Sequence, residues 1–490
     1  MDLKIDGKKP DKYQKKVIKS KRKNLLVLAG AGSGKTFTII CKIKKLVKEG
    51  IKSNEILCIS FTKASALNLE EKLKKENIHI KVKTFHSLGY EIIKKYKDVN
   101  LIEENILKKI ANEEIKKNKN LNKIINKKFI RIGSNDKMFD KLENNILLNS
   151  IYKEKIIELI ISFVNLYKSG NKNIKDFKQF QKINKSENIM DKEKRHKYFL
   201  NLAKKIIIKY QNELKRNKKI DFHDMINLAI KIVRTNNIDN YKYIIIDEYQ
   251  DTSFNKTLLI KEIQNKTNAK IMAVGDDWQS IYSFTGSNLE IFTNFKNFFS
   301  WSKIIKLKTT YRNSKELIKV TSNFICKNPY QIKKKIKSRK TNKYPIHIYY
   351  YDNNINEIWD KLIKTFSKDT LVLSRNNNDI NLLPYIPENM HFYTMHKSKG
   401  LESNDTIIIN LEDSYKSIPS KIPDSEYLKY VKTKVDKFKY AEERRLFYVA
   451  LTRCKNSNYL LVKKGNKSIF VKELLKNYKN YIKIHKKVDK

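Results

Sequence analysis

Apolar residues come in two patterns along this chain. Some form short, nearly unbroken runs, at 25–28 (LLVL), 56–61 (ILCISF), 243–246 (YIII) and 270–274 (KIMAV), with a weaker run at 79–82. Such runs mark strands buried on both faces of a parallel sheet. Each run hands over to small, polar or aromatic residues, and in open α/β sheets ligands bind at that carboxyl edge. The second pattern is helical. Across 91–219 Gly and Pro nearly vanish, and apolar residues recur at helical spacing, most clearly Ile156, Ile157, Leu159, Ile160, Phe163, Val164 and Leu166. That spacing predicts amphipathic helices. Residues 91–219 therefore read as a helical insertion between two parts of one sheet domain, 1–90 and 220–300. A short helix is expected over 11–20. Beyond 301, runs at 304–307, 346–351, 371–373, 406–411 and 459–462 predict a second α/β unit, 301–490, without a phosphate loop. The lysine-rich stretch 331–343 reads as a loop or an exposed face.

The run at 25–28 leads into Ala29-Gly30-Ala31-Gly32-Ser33-Gly34-Lys35-Thr36. Almost every side chain larger than a methyl is removed before Lys35, so backbone N–H groups can curl around an anion. Lys35 supplies a point charge for β and γ phosphates, and the Thr36 hydroxyl can ligate Mg²⁺. Helical spacing follows, and a helix N-terminus favours an anion. The strict motif opens with Gly; Ala29 holds that place here. Strand, glycine-rich loop and helix in this order predict nucleotide binding.

Composition narrows the picture. At 490 residues and 40% hydrophobic content the chain is globular and long enough for several domains. Lys and Arg number 104 against 52 Asp and Glu, a formal charge of +52. Two origins fit this excess. One is a polyanionic partner, of which nucleic acid is the commonest. The other is coding drift, since Lys, Asn and Ile crowd the chain as AT-rich genomes make them. Cys41, Cys58, Cys326 and Cys454 form no CxxC pair. That argues against zinc, iron–sulfur and disulfide frameworks and for buried, reduced thiols. No apolar run approaches membrane-spanning length and the N-terminus has no signal-like core, so a soluble, intracellular protein is expected.

A second constellation joins the phosphate loop. Asp247 and Glu248 close the apolar run at 243–246. A carboxylate there can hold Mg²⁺ opposite Thr36, and its neighbour can take a proton from attacking water. An acidic pair alone also fits a helix N-terminal cap. Gln279, just past the next run, can sense a γ-phosphate. Arg312 in TYRN and Arg453 in VALTR could stabilise the transition state from the second unit, although an isolated arginine is more often a surface ion pair.

In order, AGAGSGKT, ISFTKASALNLEEKL, TFHSLGY, IIIDEYQDTS, AVGDDWQSIYSFTGS, TYRNS, TMHKSKGLE and AEERRLFYVALTR resemble the motifs of superfamily 1 helicases of the UvrD/Rep/PcrA type. They span Gln14 to Arg453. GDDWQS and NPYQIKKKIKS lean towards the helicase IV branch. The resemblance implies two RecA-like parallel-sheet P-loop NTPase domains, with ATP between them, plus one helical insertion domain. It implies that Gln14 reads adenine and Tyr311 stacks on it. Ala29 to Thr36 would hold phosphate, and Thr36 and Asp247 would hold Mg²⁺. Glu248 would be the general base. Gln279, Arg312 and Arg453 would contact the γ-phosphate, and Glu402 beside Gly400 the ribose. Phe61, Thr62, His86, Phe284, Thr394 and His396 match positions lining the single-stranded DNA path, where stacking suits sequence-independent binding. For Phe61 and Phe284, core packing is the other reading.

The pattern also departs from the family. Thr285 stands where several relatives have Arg, and the large insertion between Asn376 and Thr394 is missing. Any restraint on unwinding must then come from 91–219, from 415–439 or from a regulatory protein partner. The resemblance implies an ATP-dependent DNA helicase moving 3′→5′ along single-stranded DNA. An ATPase that translocates or strips proteins without unwinding, and a silent DNA-binding adaptor, are the alternatives. Intact Lys35, Asp247, Glu248, Gln279, Arg312 and Arg453 argue against the adaptor.

Overall fold

A computed structural model of the chain describes residues 4–485 apart from 6, 103–104, 118–145, 186–189, 353, 367–368 and 433–437. Strands β1 (Asn24–Leu28), β2 (Ile56–Ser60) and β3 (Val82–Thr84) precede the helical region. Strands β4 (Asn100–Leu101) and β5 (Lys219–Ile220) flank it, and β6 (Tyr243–Ile246), β7 (Lys270–Gly275) and β8 (Ser302–Lys306) follow. All but β4 and β5 form one six-stranded sheet in the order β3-β2-β6-β7-β1-β8. Every pairing in it is parallel. Every residue of β1 and of β2 is buried, as the unbroken apolar runs require.

Two expectations about this sheet need correction. The strand expected at 304–307 in the second unit belongs to the first sheet: Asn24 pairs with Ser302 and Leu28 with Lys306. The boundary at 301 is therefore too early. The Leu307 N–H still donates to the Leu28 carbonyl, whereas helix Lys315–Ile325 buries Leu317, Val320 and Phe324 in the second core. Sheet membership is decided by the backbone partner, which a local run of residues does not reveal. The run at 79–82 is likewise displaced, since β3 begins only at Val82.

The second sheet is built from β9 (Ile346–Tyr351), β10 (Thr370–Ser374), β11 (Met390–Thr394), β12 (Asp405–Ile408), β13 (Asn458–Lys463) and β14 (Ile482–His485). Its order is β11-β10-β12-β13-β9-β14, again with parallel pairings throughout. β11 pairs directly with β10, so the chain between Asn376 and Thr394 returns at once to the sheet. The stretch 331–343 runs between helix Lys315–Ile325 and β9 without regular structure, yet Gln331 and Lys334 within it are buried. The stretch is thus the loop expected from sequence, exposed at its other lysines and anchored at Gln331 and Lys334.

Between β4 and β5 lie helices Ile106–Lys117, Ile146–Ser169, Asp176–Lys185 and Met190–Arg216. The two strands pair in parallel, Asn100 with Lys219 and Leu101 with Ile220, and fasten the start of this region to its end. The helices share one apolar core, in which Phe163, Phe177, Phe180 and Phe199 are buried. Four residues of the second unit, Tyr427, Leu428, Tyr430 and Val431, complete that core. Cys41, Cys58 and Cys454 are buried and Cys326 half-buried, and none of the four is in a disulfide. No helix among the described residues is long and apolar enough to cross a membrane.

Candidate nucleotide site and an adjoining aromatic face

The phosphate loop leaves β1 beside β7, where the Ala29 N–H donates to the Gly275 carbonyl at 2.9 Å. Gly34, left-handed at φ 76°, turns the chain into helix Lys35–Lys48. At Gly32 a Cβ would lie 2.4 Å from the Arg312 Cβ, so glycine there lets the second unit approach the loop. The Tyr311 N–H donates to the Gly32 carbonyl at 2.9 Å. Gln14, in helix Lys12–Lys19, lies against the same loop and donates through Nε2 to the Ser33 carbonyl at 3.3 Å. Its Oε1 accepts from the Asp11 N–H, and the Tyr311 hydroxyl donates to Asp11 at 3.0 Å.

Asp247 and Glu248 follow β6. The Asp247 N–H donates to the Ile59 carbonyl, and its carboxylate accepts from the Glu248 N–H at 2.9 Å. Glu248 takes φ 51°, a left-handed backbone that turns its side chain towards the loop. There it pairs with Lys35 Nζ at 2.5 Å. Burial first, and the Glu248 charge second, push the Asp247 carboxyl above its ordinary value. Burial works in the same direction on Glu248, but Lys35 and Lys399 outweigh it and hold that carboxyl low. Burial works to lower Lys35, and Glu248, Asp247 and Asp276 overcome it, keeping the ammonium charged. Thr36 is half-buried one residue into the helix.

The second unit brings cations to these groups. Arg312 donates through Nη1 to the Thr452 carbonyl at 3.1 Å and pairs with Glu402 at 2.8 Å. Arg453, 2% exposed, donates to the Leu401 carbonyl at 3.2 Å and reaches Gln279 Oε1 at 3.4 Å. Burial and the nearby Arg312 lower it to about 9. Gly400 sits at φ 89° with open space around it, and Glu402 is occupied by Arg312 and Lys455.

Several residues here carried no assignment from sequence. Lys399 donates to the Gln279 carbonyl at 2.7 Å and pairs with buried Asp251. Gln250 donates to Glu248 at 2.6 Å and accepts from the Asp276 N–H at 2.9 Å. All three lie inside the quoted strings, DEYQD and TMHKSKG, which was the only signal available.

Beside this cleft runs an aromatic row. Phe61 stacks on Tyr282 at 5.5 Å, Tyr282 meets Phe284 at 6.0 Å, and Phe284 meets His396 at 5.8 Å. Lys256 Nζ lies 4.9 Å above the Phe61 ring. Phe284 is 57% exposed, which removes core packing as its explanation. His86 lies apart from this row and meets exposed Phe222 at 5.1 Å. Thr62 is exposed and caps helix Lys63–Lys75, whereas Thr394 is buried and accepts from the Lys397 N–H. Burial lowers His396 to about 4 and His86 to about 3, so both rings are neutral.

Residues 11–300 match the family model described as the UvrD/REP helicase N-terminal domain, and 384–465 that of the UvrD-like helicase C-terminal domain. The chain is similar to DNA helicase IV of Escherichia coli, at 29% identity over 95% of this chain and 69% of that protein. It is 30% identical to the ATP-dependent DNA helicase Rep of Buchnera aphidicola over 82% of this chain and 61% of that protein. With PcrA of Staphylococcus aureus it shares 25% identity over 69% of this chain and 42% of that one. The chain thus spans about two-thirds or less of the length of these curated relatives. With the N-terminal model alone covering more than half of its residues, the chain belongs to the UvrD/Rep helicase family.

Proposed function

We propose that the protein is an ATP-dependent DNA helicase that moves 3′→5′ along single-stranded DNA by hydrolysing Mg-ATP between its two sheets. One observation carries this reading: Arg312, Lys399 and Arg453 of the second unit all converge on the phosphate-loop side of the first. In this reading the first RecA-like domain is 1–90 with 220 to about 307, the helical domain is 91–219, and the remainder is the second domain.

Thr36 and Asp247 are hard oxygen donors that fit Mg²⁺, and a buried carboxylate with a raised pKa is one short of positive charge. Mg²⁺ held there would neutralise phosphate charge. The chain's own residues do the rest. Gln14 and Tyr311 hold the base, and Lys35 moves from Glu248 to the phosphates. That move frees Glu248: without the Lys35 charge, burial raises its basicity, and it accepts the proton of the attacking water. Arg312, Arg453 and Gln279 take up the charge that develops on the γ-phosphoryl group. Glu402 beside Gly400 turns to the ribose. Cleft closure and opening then shift Phe61, Thr62, His86, Phe284, Thr394 and His396 relative to the strand they hold.

Two assays on the wild-type protein test the reading together. ATP hydrolysis should rise with added single-stranded DNA, and a duplex with a 3′ single-stranded tail should be separated. Stimulated hydrolysis without strand separation would favour a translocase that strips proteins from DNA. No hydrolysis at all would leave only a DNA-binding adaptor.

A further inference from the structure

One lysine in the lysine-rich stretch 331–343 is unlike its neighbours. Lys333 and Lys335 are exposed, while the Lys334 side chain is 2% exposed. Its ammonium pairs with Asp276 and stands 2.6 Å from Asp277, both carboxylates being fully buried. It also lies 4.4 Å from the centre of the Trp278 ring and donates to the Ala29 carbonyl at 3.3 Å. A buried ammonium is costly unless paired, and burial does work against it here, outweighed by Asp276 and Asp277.

The surrounding segment is fixed as firmly. The Ile332 N–H donates to Asp277 Oδ2 at 2.8 Å, and Trp278 Nε1 donates to the Ile332 carbonyl at 3.1 Å. The Lys337 N–H donates to the Lys308 carbonyl at 2.7 Å. Ile336 closes over the phosphate loop, where a Cβ on Gly30 would lie 2.4 Å from its Cδ1.

Asp276 uses its other oxygen on the proposed phosphate sensor. Oδ1 meets Lys334, and Oδ2 accepts from Gln279 Nε2 at 2.6 Å. With Nε2 held there, the amide oxygen of Gln279 is left facing Arg453. The main chain of the same residue accepts from Lys399 and leads within three residues to Tyr282 of the aromatic row.

We infer that Lys334 is a positioning residue for ATP hydrolysis: acting through Asp276 it fixes the Gln279 amide towards Arg453, and through Ala29 it ties that amide to the start of the phosphate loop. The inference rests on Gln279 acting on the γ-phosphate, as proposed above. Lys334 belongs to the segment that leads into the second sheet, so movement of that segment reaches Gln279 without passing through nucleotide.

The test is a double-mutant cycle. Lys334→Met alone strands two buried carboxylates and can unfold the protein, so the working variant is Lys334→Met/Asp277→Asn, which keeps the local net charge. Asp277→Asn alone is the control and should keep kcat within about threefold of wild type. The double variant should lower single-strand-stimulated kcat about 10- to 100-fold with KM for ATP changed less than about threefold, as loss of an interaction made in the transition state does. Added to Gln279→Ala, the same pair of substitutions should cost less than about threefold more, because the residue it acts through is gone. Full additivity of the two losses would overturn the positioning role while leaving Gln279 in place. Unchanged kcat in Gln279→Ala itself would overturn both this inference and the sensor assignment.

Discussion

The two six-stranded sheets share an architecture and differ in what they carry. Both are parallel throughout, and each has a buried apolar core. The first places a glycine-rich loop after β1 and carboxylates after β6 and β7. The second has no such loop. It offers cations instead, from the segment before helix Lys315–Ile325, from the turn between β11 and β12, and from the end of helix Ala441–Leu451. The lesson is that the fold supplies a frame, and the residues at its margins supply the chemistry. Neither sheet alone carries both the phosphate loop and the arginines that face it. In the proposed mechanism, a site divided this way is assembled by closure and dismantled by opening.

The largest effects should come from the first sheet. Glu248→Gln should cut turnover about 10²-fold or more with ATP binding nearly intact, since only the proton acceptor is lost. Lys35→Ala should instead weaken nucleotide binding, read by titration with a fluorescent ATP analogue. If Glu248→Gln hydrolysed ATP at near wild-type rate, the base would be misassigned.

A smaller effect belongs to the aromatic row that spans the two units. Phe284→Ala should weaken single-strand binding by about 1–3 kcal/mol, the usual worth of one stacked base, with ATP binding unaltered. Across a salt series, log affinity should fall with log salt by about 0.7 per phosphate neutralised. A flat response would return the excess of lysine to genome composition.

The helical region sharpens the comparison, because it belongs to neither sheet and touches both units. Tyr427 of the second unit stacks on Phe199 at 4.4 Å, and the His196 ring hydrogen-bonds Tyr430 at 2.7 Å. Removal of a large buried side chain such as Tyr427 typically costs about 3–5 kcal/mol locally. Tyr427→Ala should therefore loosen this clasp and change strand separation several-fold. Single-strand-stimulated ATP hydrolysis should change little, because no proposed catalytic group lies here. Equal loss of both activities, in protein folded by circular dichroism, would make the helical region part of the motor.

A separate effect is on stability. Burial, the larger cause in each case, and nearby positive charge lower His86 to about 3, and His223 and His396 to about 4, from an ordinary 6.5. The unfolded chain takes up protons that the folded chain refuses, so stability is full above about pH 6.5 and is lost as pH falls towards 4. Thermal melts at descending pH should show Tm falling across that window. A Tm that rose between pH 7 and 5 would contradict the neutral assignment of these rings.

Much of this organisation was legible in the residues because it is local. A strand, a glycine-rich loop and a helix occupy consecutive positions, so Gly30 to Thr36 declared themselves. Asp247 and Glu248 did so by closing an apolar run, and Gln279 by lying just past the next one. What escaped depends on distant partners. β8 looks like any short strand, and only its pairing with β1 assigns it to the first sheet. Lys334 is one lysine in a lysine-rich stretch, and nothing in its neighbours predicts two buried carboxylates opposite it. Tyr427 and Tyr430 lie in a polar segment of the second unit, and their burial comes from helices more than 200 residues earlier. The residues proposed for the DNA path fall between these cases: Phe284 stands exposed in a row with His396, whereas Thr394 turns inward.

The claim that the site is shared between sheets is tested most directly at Arg312, which is partly exposed and so can be replaced with little cost to folding. The measurement is steady-state ATP hydrolysis by Arg312→Ala at saturating single-stranded DNA, with binding of a non-hydrolysable ATP analogue measured alongside. The account predicts a loss of about 10³-fold or more in turnover, the scale on which an arginine finger acts, with analogue binding within a few-fold of wild type. Turnover close to wild type would mean that hydrolysis does not need Arg312, which would contradict the part this arginine plays in the composite site.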